Sequence, residues 1–467
     1  MTNKHTIPRV VIAAPHGRSG KTTVTLGLLG AYTKKGIKAQ SFKKGPDYID
    51  PSWHTEVTGN LCRNLDCYMM DDKTLKESFI RGTQKSTLSI IEGAMGLHDG
   101  FDLEGTGSTA QVAKIIKAPV IFVVDTRRMT RSIAPLVMGF QQFDKDIEIA
   151  GVILNQVARA RHEKILKGAI DKYCGIPVIG TIPKDSNIAI PDRHLGLIPA
   201  HEDEKYQQSI EYIIKTIQNN VDLELLMEIA GRAKPLEALT PVQSKNVIDK
   251  NIKIGVIKDR VFSFYYPENL EALEDLGAKL IYIDSLNDVN LPDIDGLYIG
   301  GGFPEVFAKE LESNTTLRKQ IKQKAEEGLP VYAECGGLMY LGQKIITEGS
   351  NYQMVGVFPF AVKMENKPQG HGYTRLTVTK SNPFFKETGI VIKGHEFHNS
   401  KIIDLDSTEV SFGFDVARGS GIDGLVDGIT YKNVLATYNH IHALSTPQWA
   451  QGFIKLIEEK CYSPALY

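Results

Sequence analysis

A glycine-containing turn at residues 17–20, followed at once by Lys-Thr-Thr, has the residue types that bind nucleotide phosphates. It comes after a short apolar run, 10–14, and before an amphipathic stretch, 24–34, so it joins a predicted strand to a predicted helix. In such a turn backbone N–H groups bind the anion, the lysine reaches the outer phosphates and a hydroxyl binds Mg²⁺. Pro15 stands where G-x-x-x-x-G-K-[ST] has its first glycine, and an ordinary helix start is the alternative. The predicted phosphate-binding residues are Gly17, Ser19, Gly20, Lys21, Thr22 and Thr23.

Two acidic loops follow later predicted strands. Residues 43–51 hold two lysines, two aspartates and two prolines directly after the predicted strand 38–42, and Glu92 opens a glycine-rich loop after the predicted strand 89–91. Ligands of open parallel sheets bind at the carboxyl ends of the strands, and carboxylates suit magnesium or a substrate loop. A polar turn is the alternative for the first loop, because proline and aspartate favour turns.

The pattern of the first half predicts an α/β fold with a doubly wound parallel sheet. Apolar runs at 120–125 and 149–155 alternate with helical patterns such as 108–116 and 161–172. Periodicity is lost at 233–251, which we interpret as a linker. The predicted domains are residues 1–240 and 251–467.

Length and composition exclude several classes of protein. A chain of 467 residues exceeds what one core usually supports. The net charge of −1 does not favour binding to nucleic acid or to an anionic membrane, and the apolar runs are too short to span a bilayer. The start of the chain has no signal-peptide pattern. The odd, scattered set of five cysteines favours a reducing cytoplasm over a disulfide framework.

The second half holds a candidate nucleophile, Cys335. It follows the predicted strand 330–333 and precedes two glycines and a helical pattern, as in a nucleophile elbow. A helix N-terminus would lower the pKa of the thiol, and backbone N–H groups there would stabilise an oxyanion. A small buried hydrophobe is the alternative reading of a lone cysteine. The predicted oxyanion residues are Gly301, Gly302 and Gly336.

Four histidines could act as the base for this thiol: His395, His398, His440 and His442. The last two follow a predicted strand, 434–436, and point to the same side if the chain there is extended. A His-x-His pair could bind a metal, but no third ligand with suitable spacing is evident. Acyl-transfer chemistry with Cys335 is therefore the preferred interpretation.

Eight blocks, in order along nearly the whole chain, resemble the cobyrinic acid a,c-diamide synthase family. They are APHGRSGKTT, KKGPDYIDPSWH, EGAMGLHDG, FSFYYPENLEAL, YIGGGFPE, AECGGLMYL, GHEFHNS and TYNHIHAL. The resemblance implies a P-loop, dethiobiotin-synthetase-like ATP-binding amidoligase domain followed by a class I-like glutamine amidotransferase α/β domain. It implies a ligase with ATP, glutamine and a tetrapyrrole polycarboxylate as substrates, and with Mg²⁺.

The resemblance also implies roles for individual residues. Cys335 would attack the side-chain amide of glutamine, and His440 matches the base of the family. ATP would activate the a and c carboxylates of cobyrinate as acyl phosphates, which ammonia captures. Ordinary amidotransferases of this class have a glutamate two residues after the base, where this chain has His442, so the third member of a triad is not identified. Thr22, Asp47 and Glu92 match magnesium positions, and Asp50 and Asp99 match the substrate loop.

Some features leave the acceptor open. His16 and Arg18 replace small residues usual in this phosphate loop, and residues 364–373 do not point to cobyrinate. Close relatives amidate nickel-sirohydrochlorin or sirohaem. A partitioning-type switch ATPase is a distant alternative, but it has lysine where this chain has His16 and needs no nucleophile domain. A cysteine protease would not explain the phosphate loop. The oligomeric state is open, a homodimer included.

Overall fold

The protein, seen in a computed structural model that describes residues 4–188, 204–237 and 250–462, forms two compact units. The first unit comprises Met1–Gln243 and the second Ser244–Tyr467. Much of the predicted linker, residues 238–249, lies outside the described residues.

The first unit alternates strands and helices. Its strands are β1 (Lys4–His5), β2 (Arg9–Ala13), β3 (Ala39–Lys44), β4 (Arg63–Leu65), β5 (Leu88–Glu92), β6 (Val120–Asp125), β7 (Ile149–Val157), β8 (Val178–Pro183) and β9 (Leu236–Glu237). Its helices are α1 (Lys21–Lys34), α2 (Ile49–Thr58), α3 (Asp72–Gly82), α4 (Thr109–Ile115), α5 (Ile133–Phe143), α6 (Ala160–Cys174), α7 (Glu204–Asn220) and α8 (Leu223–Gly231), with a 3₁₀ turn at Ser186–Ile188.

Seven of these strands form a parallel sheet in the order β4-β3-β5-β2-β6-β7-β8. Its central strands are apolar runs because both faces are covered, each by a separate core. The predicted doubly wound sheet is therefore confirmed. Glu92 of β5 pairs in register with Ile12 of β2 and with Lys43 of β3. The phosphate loop and both acidic loops consequently leave the sheet at the same edge.

The second unit is a mixed α/β domain. Its strands are β10 (Ile252–Ile257), β11 (Ala278–Ile283), β12 (Gly296–Ile299), β13 (Val331–Glu334), β14 (Lys344–Thr347), β15 (Ser350–Gln353), β16 (Ala361–Met364), β17 (Gly370–Val378), β18 (Val391–His398), β19 (Ser400–Ile403), β20 (Ser411–Arg418), β21 (Val426–Tyr431), β22 (Val434–Thr437) and β23 (His440–Ile441). Its helices are α9 (Pro267–Asp275), α10 (Ala308–Ser313), α11 (Thr315–Glu326), α12 (Gly336–Leu341) and α13 (Pro447–Tyr462).

The main sheet of this unit has ten strands in the order β11-β10-β12-β13-β22-β21-β20-β17-β18-β23. The strands from β11 to β22 are parallel, and β13 and β22 match the predicted strands 330–333 and 434–436. The antiparallel part and the separate sheet β15-β14-β16-β19 were not predicted. Because β12, β13 and β22 are neighbours, residues 300–302, Cys335 and residues 438–442 follow adjacent strand ends.

No helix in the described parts of the chain combines the length and the apolar character that crossing a bilayer requires.

Candidate active sites

The phosphate loop is held by hydrogen bonds of its own. Gly20 has φ 94° and ends the turn, and α1 begins at the next residue. The hydroxyl of Ser19 donates to the carbonyl of His16 (2.9 Å), and Asn155 Nδ2, at the end of β7, donates to the carbonyl of Ser19 (3.0 Å). Since glycine adopts a positive φ without steric cost, only this residue type turns the chain here without strain. The loop is thus shaped by its sequence and by a neighbouring strand.

The side chain of Lys21 extends from the start of α1 to the backbone of two loops. Its Nζ donates to the carbonyls of Met95 (2.6 Å) and His16 (3.3 Å). Burial lowers the pKa of Lys21 to about 8, against the opposing effect of the nearby Glu92 charge. Thr22 and Thr23 lie in the first turn of α1, and a Cβ added to Gly17 would lie 3.7 Å from the Met95 sulfur. The predicted phosphate-binding segment therefore faces the loop that follows β5.

The predicted magnesium residues converge on a buried lysine. Lys43 Nζ lies 2.8 Å from Glu92 Oε1 and 3.6 Å from Asp47 Oδ2, and it also pairs with Asp50. Thr22 Oγ1 donates to Glu92 Oε1 at 2.6 Å. Burial disfavours the charge of Lys43, but the carboxylates outweigh it and raise the pKa of the ammonium. We call Thr22, Lys43, Asp47, Asp50 and Glu92 the acidic cluster.

The acidic cluster offers oxygen ligands rather than a closed metal cage. In the described parts of the chain, no group of three or more His, Cys, Asp or Glu residues has the spacing of a metal site. Thr22 Oγ1 is nevertheless within 3.4 Å of an oxygen of Asp50 and closer still to Glu92. Mg²⁺ usually takes one or two carboxylates and completes its shell with phosphate oxygens and water. The residues present fit an ion of that kind.

His54, in α2, belongs to the same site, although the sequence analysis gave it no role. Its Nε2 lies 2.8 Å from Glu92 Oε2, and its Nδ1 is 3.5 Å from the Cys62 sulfur. Burial opposes protonation, yet the contacts with Cys62 and Glu92 raise the pKa of His54 to about 10. Although burial would raise the pKa of Glu92, Lys43 and His54 lower it. Both oxygens of Glu92 are therefore fixed by neighbours.

Asp99 shapes the loop after β5. Its Oδ2 accepts a hydrogen bond from the Gly96 N–H (2.7 Å), and Leu97 N–H donates to the carbonyl of Ala14, the residue after β2 (2.8 Å). The charge of Asp99 also acts on Lys21. The structure thus brings this predicted substrate-loop residue beside the phosphate loop and gives it a turn-forming role.

Cys335 occupies a sharp turn between β13 and α12. Its backbone has φ 48° and ψ −99°, a conformation that is strained for a residue with a side chain. Its N–H donates to the carbonyl of Thr437 (2.7 Å), at the end of the neighbouring β22. A strained residue held between a strand and a helix is typical of a nucleophile elbow, as the sequence predicted.

The protonation of the thiol differs from the sequence-based expectation. Burial, and then the charge of Glu305, raise the pKa of Cys335 to about 12, while a hydrogen bond from the Gly336 N–H acts in the opposite direction. The helix α12 has only six residues, and burial outweighs it. Cys335 is therefore a neutral thiol at rest and needs a base.

The predicted oxyanion residues and His440 meet at this turn. A Cβ added to Gly336 would lie 2.9 Å from the Gly302 nitrogen, and a Cβ added to Gly301 would lie 2.6 Å from His440 Cε1. Gly337 N–H donates to the carbonyl of Gly300 (3.1 Å). These positions need glycine because backbone and ring approach so closely.

His440 and His442 have different carboxylate neighbours. His440 Nδ1 lies 3.3 Å from Glu334 Oε2, and its ring stacks on His395 with centroids 4.9 Å apart. His442 Nε2 lies 3.6 Å from Glu268 Oε2. The fourth candidate, His398, stacks on the ring of Tyr438 at 3.7 Å.

Comparison with known proteins matches each unit to a family. Residues 10–198 match the CobQ/CobB/MinD/ParA nucleotide binding domain, and residues 253–448 match the CobB/CobQ-like glutamine amidotransferase domain. The cobyrinate a,c-diamide synthase of Magnetococcus marinus is 42% identical over 97% of this chain and 98% of its own. That of Archaeoglobus fulgidus is also 42% identical, with the same shares of both chains covered. The chain belongs to the cobyrinate a,c-diamide synthase family.

Membership of this family makes the chain a ligase that hydrolyses glutamine in an ATP-dependent amidation. The nucleotide-binding match includes Lys21 and Glu92, and the amidotransferase match includes Cys335 and His440. Among solved structures, PurLQS from Thermotoga maritima matches with a TM-score of 0.34 and 18% identity, over 45% of this chain and 99% of that chain. That similarity is too weak to bear on function.

Proposed function

We propose that this chain converts the a and c side-chain carboxylates of cobyrinate into amides, using ATP and glutamine, in cobalamin biosynthesis. The observation that carries the proposal is the pairing, in one chain, of the phosphate loop beside the acidic cluster with the strained Cys335 turn. The names of the full-length relatives support cobyrinate as the acceptor.

The first unit would activate the acceptor. The phosphate loop and Lys21 bind the phosphates of ATP, and Thr22, Asp47 and Glu92 hold Mg²⁺ while His54 orients Glu92. The bound ion supplies positive charge to the phosphate oxygens. A side-chain carboxylate of the tetrapyrrole attacks the γ-phosphorus of ATP. The bond between that phosphorus and the oxygen that bridges it to the β-phosphate breaks, so ADP departs and an acyl phosphate is formed. Asp50 and Asp99 shape the acceptor side of this site.

The second unit would supply ammonia. The Cys335 sulfur attacks the amide carbon of glutamine while His440 takes the thiol proton and then gives it to the departing ammonia. Backbone N–H groups of Gly301, Gly302 and Gly336 stabilise the oxyanion. Water hydrolyses the thioester to glutamate, and ammonia displaces phosphate from the acyl phosphate to form the amide.

The acceptor can be identified by testing the three candidate tetrapyrroles side by side. With ATP, Mg²⁺ and glutamine present, cobyrinate, nickel-sirohydrochlorin and sirohaem are titrated separately, and absorption changes and products are followed by spectroscopy and mass spectrometry. We expect a diamide of cobyrinate. A diamide of nickel-sirohydrochlorin or of sirohaem alone would reassign the acceptor. Phosphate release independent of glutamine and of every tetrapyrrole would instead support a partitioning-type switch ATPase.

We further propose that the protein works in the cytoplasm, as a homodimer if it associates at all. Cys62, Cys67, Cys174 and Cys335 are free thiols, which suits a reducing compartment. Light scattering of the purified protein measures its oligomeric state.

A further inference from the structure

A carboxylate that the sequence analysis did not single out lies next to His440. Glu334 is the last residue of β13, directly before Cys335; it is buried, and its Oε2 is 3.3 Å from His440 Nδ1. We propose that Glu334 is the positioning residue that orients His440 as the base for Cys335, a role that the resemblance would have given to position 442. The inference rests on the proposed roles of Cys335 and His440.

The hydrogen bonds of Glu334 suit an ionised carboxylate. Its Oε1 accepts from the Tyr332 hydroxyl (2.9 Å) and the Ile441 N–H (3.2 Å). Its Oε2 accepts from the Tyr298 hydroxyl (3.3 Å) and lies next to His440 Nδ1. An ionised carboxylate has acceptors only, so every one of these neighbours must donate. Two donors on each oxygen also hold the carboxylate in one orientation.

This arrangement selects a tautomer of His440. Because Glu334 accepts, Nδ1 carries the proton and Nε2 keeps its lone pair for the thiol of Cys335. When Nε2 takes that proton, the imidazolium is stabilised by the adjacent negative charge. An aspartate behind the histidine does the same in serine hydrolases.

The strand explains why the carboxylate lies where it does. Side chains alternate along β13, so Ala333 packs into one core and Tyr332 and Glu334 face the other. Glu334 pairs in register with Thr437, the last residue of β22, and the chain then reaches His440 three residues later. Burial among aromatic rings keeps water away from the contact and strengthens it electrostatically.

His442 is a poorer candidate for this role. Its Nε2 faces Glu268 Oε2 at 3.6 Å, and its Nδ1 accepts from the Leu444 N–H at 3.2 Å. Both ring nitrogens are therefore committed elsewhere.

Several titratable groups surround His440. They are Glu334 and Cys335 from the β13 turn, Tyr298 from β12, His395 from β18, and the Glu268–His442 pair. Burial, then the neighbouring His440, His442 and His371, lower the pKa of His395 well below its usual value, so His395 is uncharged. Glu334 is thus a group in direct contact with His440 that can supply negative charge, at Nδ1.

Replacing the charge tests the proposal in the full-length enzyme. Glu334→Gln keeps the shape of the side chain, and its amide can favour the wrong tautomer of the histidine. We expect glutamine hydrolysis to lose about 10²- to 10⁴-fold in kcat with little change in KM. The acid limb of the pH profile of kcat/KM should move to lower pH, because the protonated imidazole of His440 loses the neighbouring carboxylate that stabilises it. Synthesis from ammonium salts, which is the chemistry of the first unit, should persist, and circular dichroism with an unchanged Tm checks that the second unit is folded.

Glu268→Gln is the matched control, because it removes a carboxylate from an equally buried carboxylate–histidine pair in the same unit. We expect less than about a fivefold change in kcat for it and no shift of the acid limb. The proposal is overturned if Glu334→Gln keeps wild-type kcat, or if its acid limb does not move although kcat falls. If Cys335→Ala also retains glutamine use, the proposed function itself fails. If Glu334→Gln retains glutamine use and Cys335→Ala loses it, the positioning role of Glu334 fails and the proposed function stands.

Discussion

At the scale of single residues, the ammonium of Lys43 holds the acidic cluster together. It pairs with Glu92, which is fully buried, and with Asp47, whose side chain is 30% exposed. Breaking a buried ion pair leaves an uncompensated charge and costs about 3–5 kcal/mol. Glu92→Gln would therefore destabilise the first unit whether or not Glu92 binds magnesium. Asp47 is the better residue for testing the metal.

Asp47→Asn should raise the magnesium requirement without unfolding the protein. Asp47 Oδ1 accepts from the N–H groups of Ile49 (2.8 Å) and Asp50 (3.2 Å), and an asparagine oxygen can accept both. If the second oxygen binds the ion, the Mg²⁺ concentration for half-maximal synthesis should rise about tenfold or more. Asp71→Asn is the control, since Asp71 caps α3 in the same way. An unchanged magnesium titration with a lowered Tm would leave Asp47 only a turn-forming role.

The raised pKa of Cys335 predicts how the thiol responds to pH. Because burial raises this pKa to about 12, the thiolate fraction is small at pH 7 and should grow as the pH rises towards 12. Alkylation of Cys335 by iodoacetamide, followed by peptide mass spectrometry, should accelerate about tenfold per pH unit over the range in which circular dichroism shows an intact fold. A rate that is already at its plateau near pH 7 would contradict the neutral resting thiol.

At the scale of elements, the entry to α1 requires glycine for two reasons. Gly20 has φ 94°, and a Cβ there would overlap Asn155 Nδ2. Gly36, just beyond the other end of the helix, has φ 78° but nothing within 4 Å of an added Cβ. Comparing substitutions at Gly20 and Gly36 therefore distinguishes the effect of backbone strain from the effect of a contact with the phosphate loop.

Gly20→Ala should therefore impair nucleotide binding, whereas Gly36→Ala should affect only stability. Both variants carry left-handed strain of about 1–2 kcal/mol. Only Gly20→Ala also displaces Asn155 and the Ser19 carbonyl that it holds. We expect ATP affinity, measured by calorimetry, to fall at least about tenfold for Gly20→Ala and less than about twofold for Gly36→Ala. Equal losses would show that strain in α1, rather than the loop, controls binding.

The sequence predicts the parallel strands well and the antiparallel ones poorly. Strands such as β6 and β13 are buried, largely apolar runs between helices, so their type and limits can be read from composition. Strands such as β17 and β20 mix exposed and buried residues and are joined by irregular loops. Their pairing depends on contacts far apart in the chain, which no local pattern reveals.

The candidate sites follow the same division. Lys21, Glu92 and Cys335 could be found because each belongs to a recognisable segment at the carboxyl end of a strand: the phosphate loop after β2, the last residue of β5 and the turn after β13. His54 and Glu334 could not, because a role for either depends on which partner lies opposite. Glu334 lies between the predicted strand 330–333 and Cys335, and only the pairing of β13 with β22 brings it to His440.

At the scale of the whole molecule, the two units divide the chemistry. The phosphate loop and acidic cluster lie in the first unit, and the Cys335 turn lies in the second. Each unit has its own hydrophobic cores, so damage to one site need not disturb the other. A variant of the phosphate loop should consequently lose synthesis but keep glutamine hydrolysis. A variant of the Cys335 turn should lose glutamine-dependent synthesis but keep synthesis from ammonia.

The independence of the first unit's chemistry is tested by supplying ammonia directly to a Cys335→Ala enzyme. This variant lacks the nucleophile, so glutamine-dependent synthesis should fall by about 10³-fold or more, while synthesis from ammonium salts at alkaline pH continues. Lys21→Ala should lose synthesis from both nitrogen sources, because its ammonium no longer meets the phosphates, yet it should keep slow glutamine hydrolysis. Product formation and glutamate release are measured for both variants. A Cys335→Ala enzyme that uses glutamine normally, or a Lys21→Ala enzyme that makes the diamide, would show that the chemistry is not divided in this way.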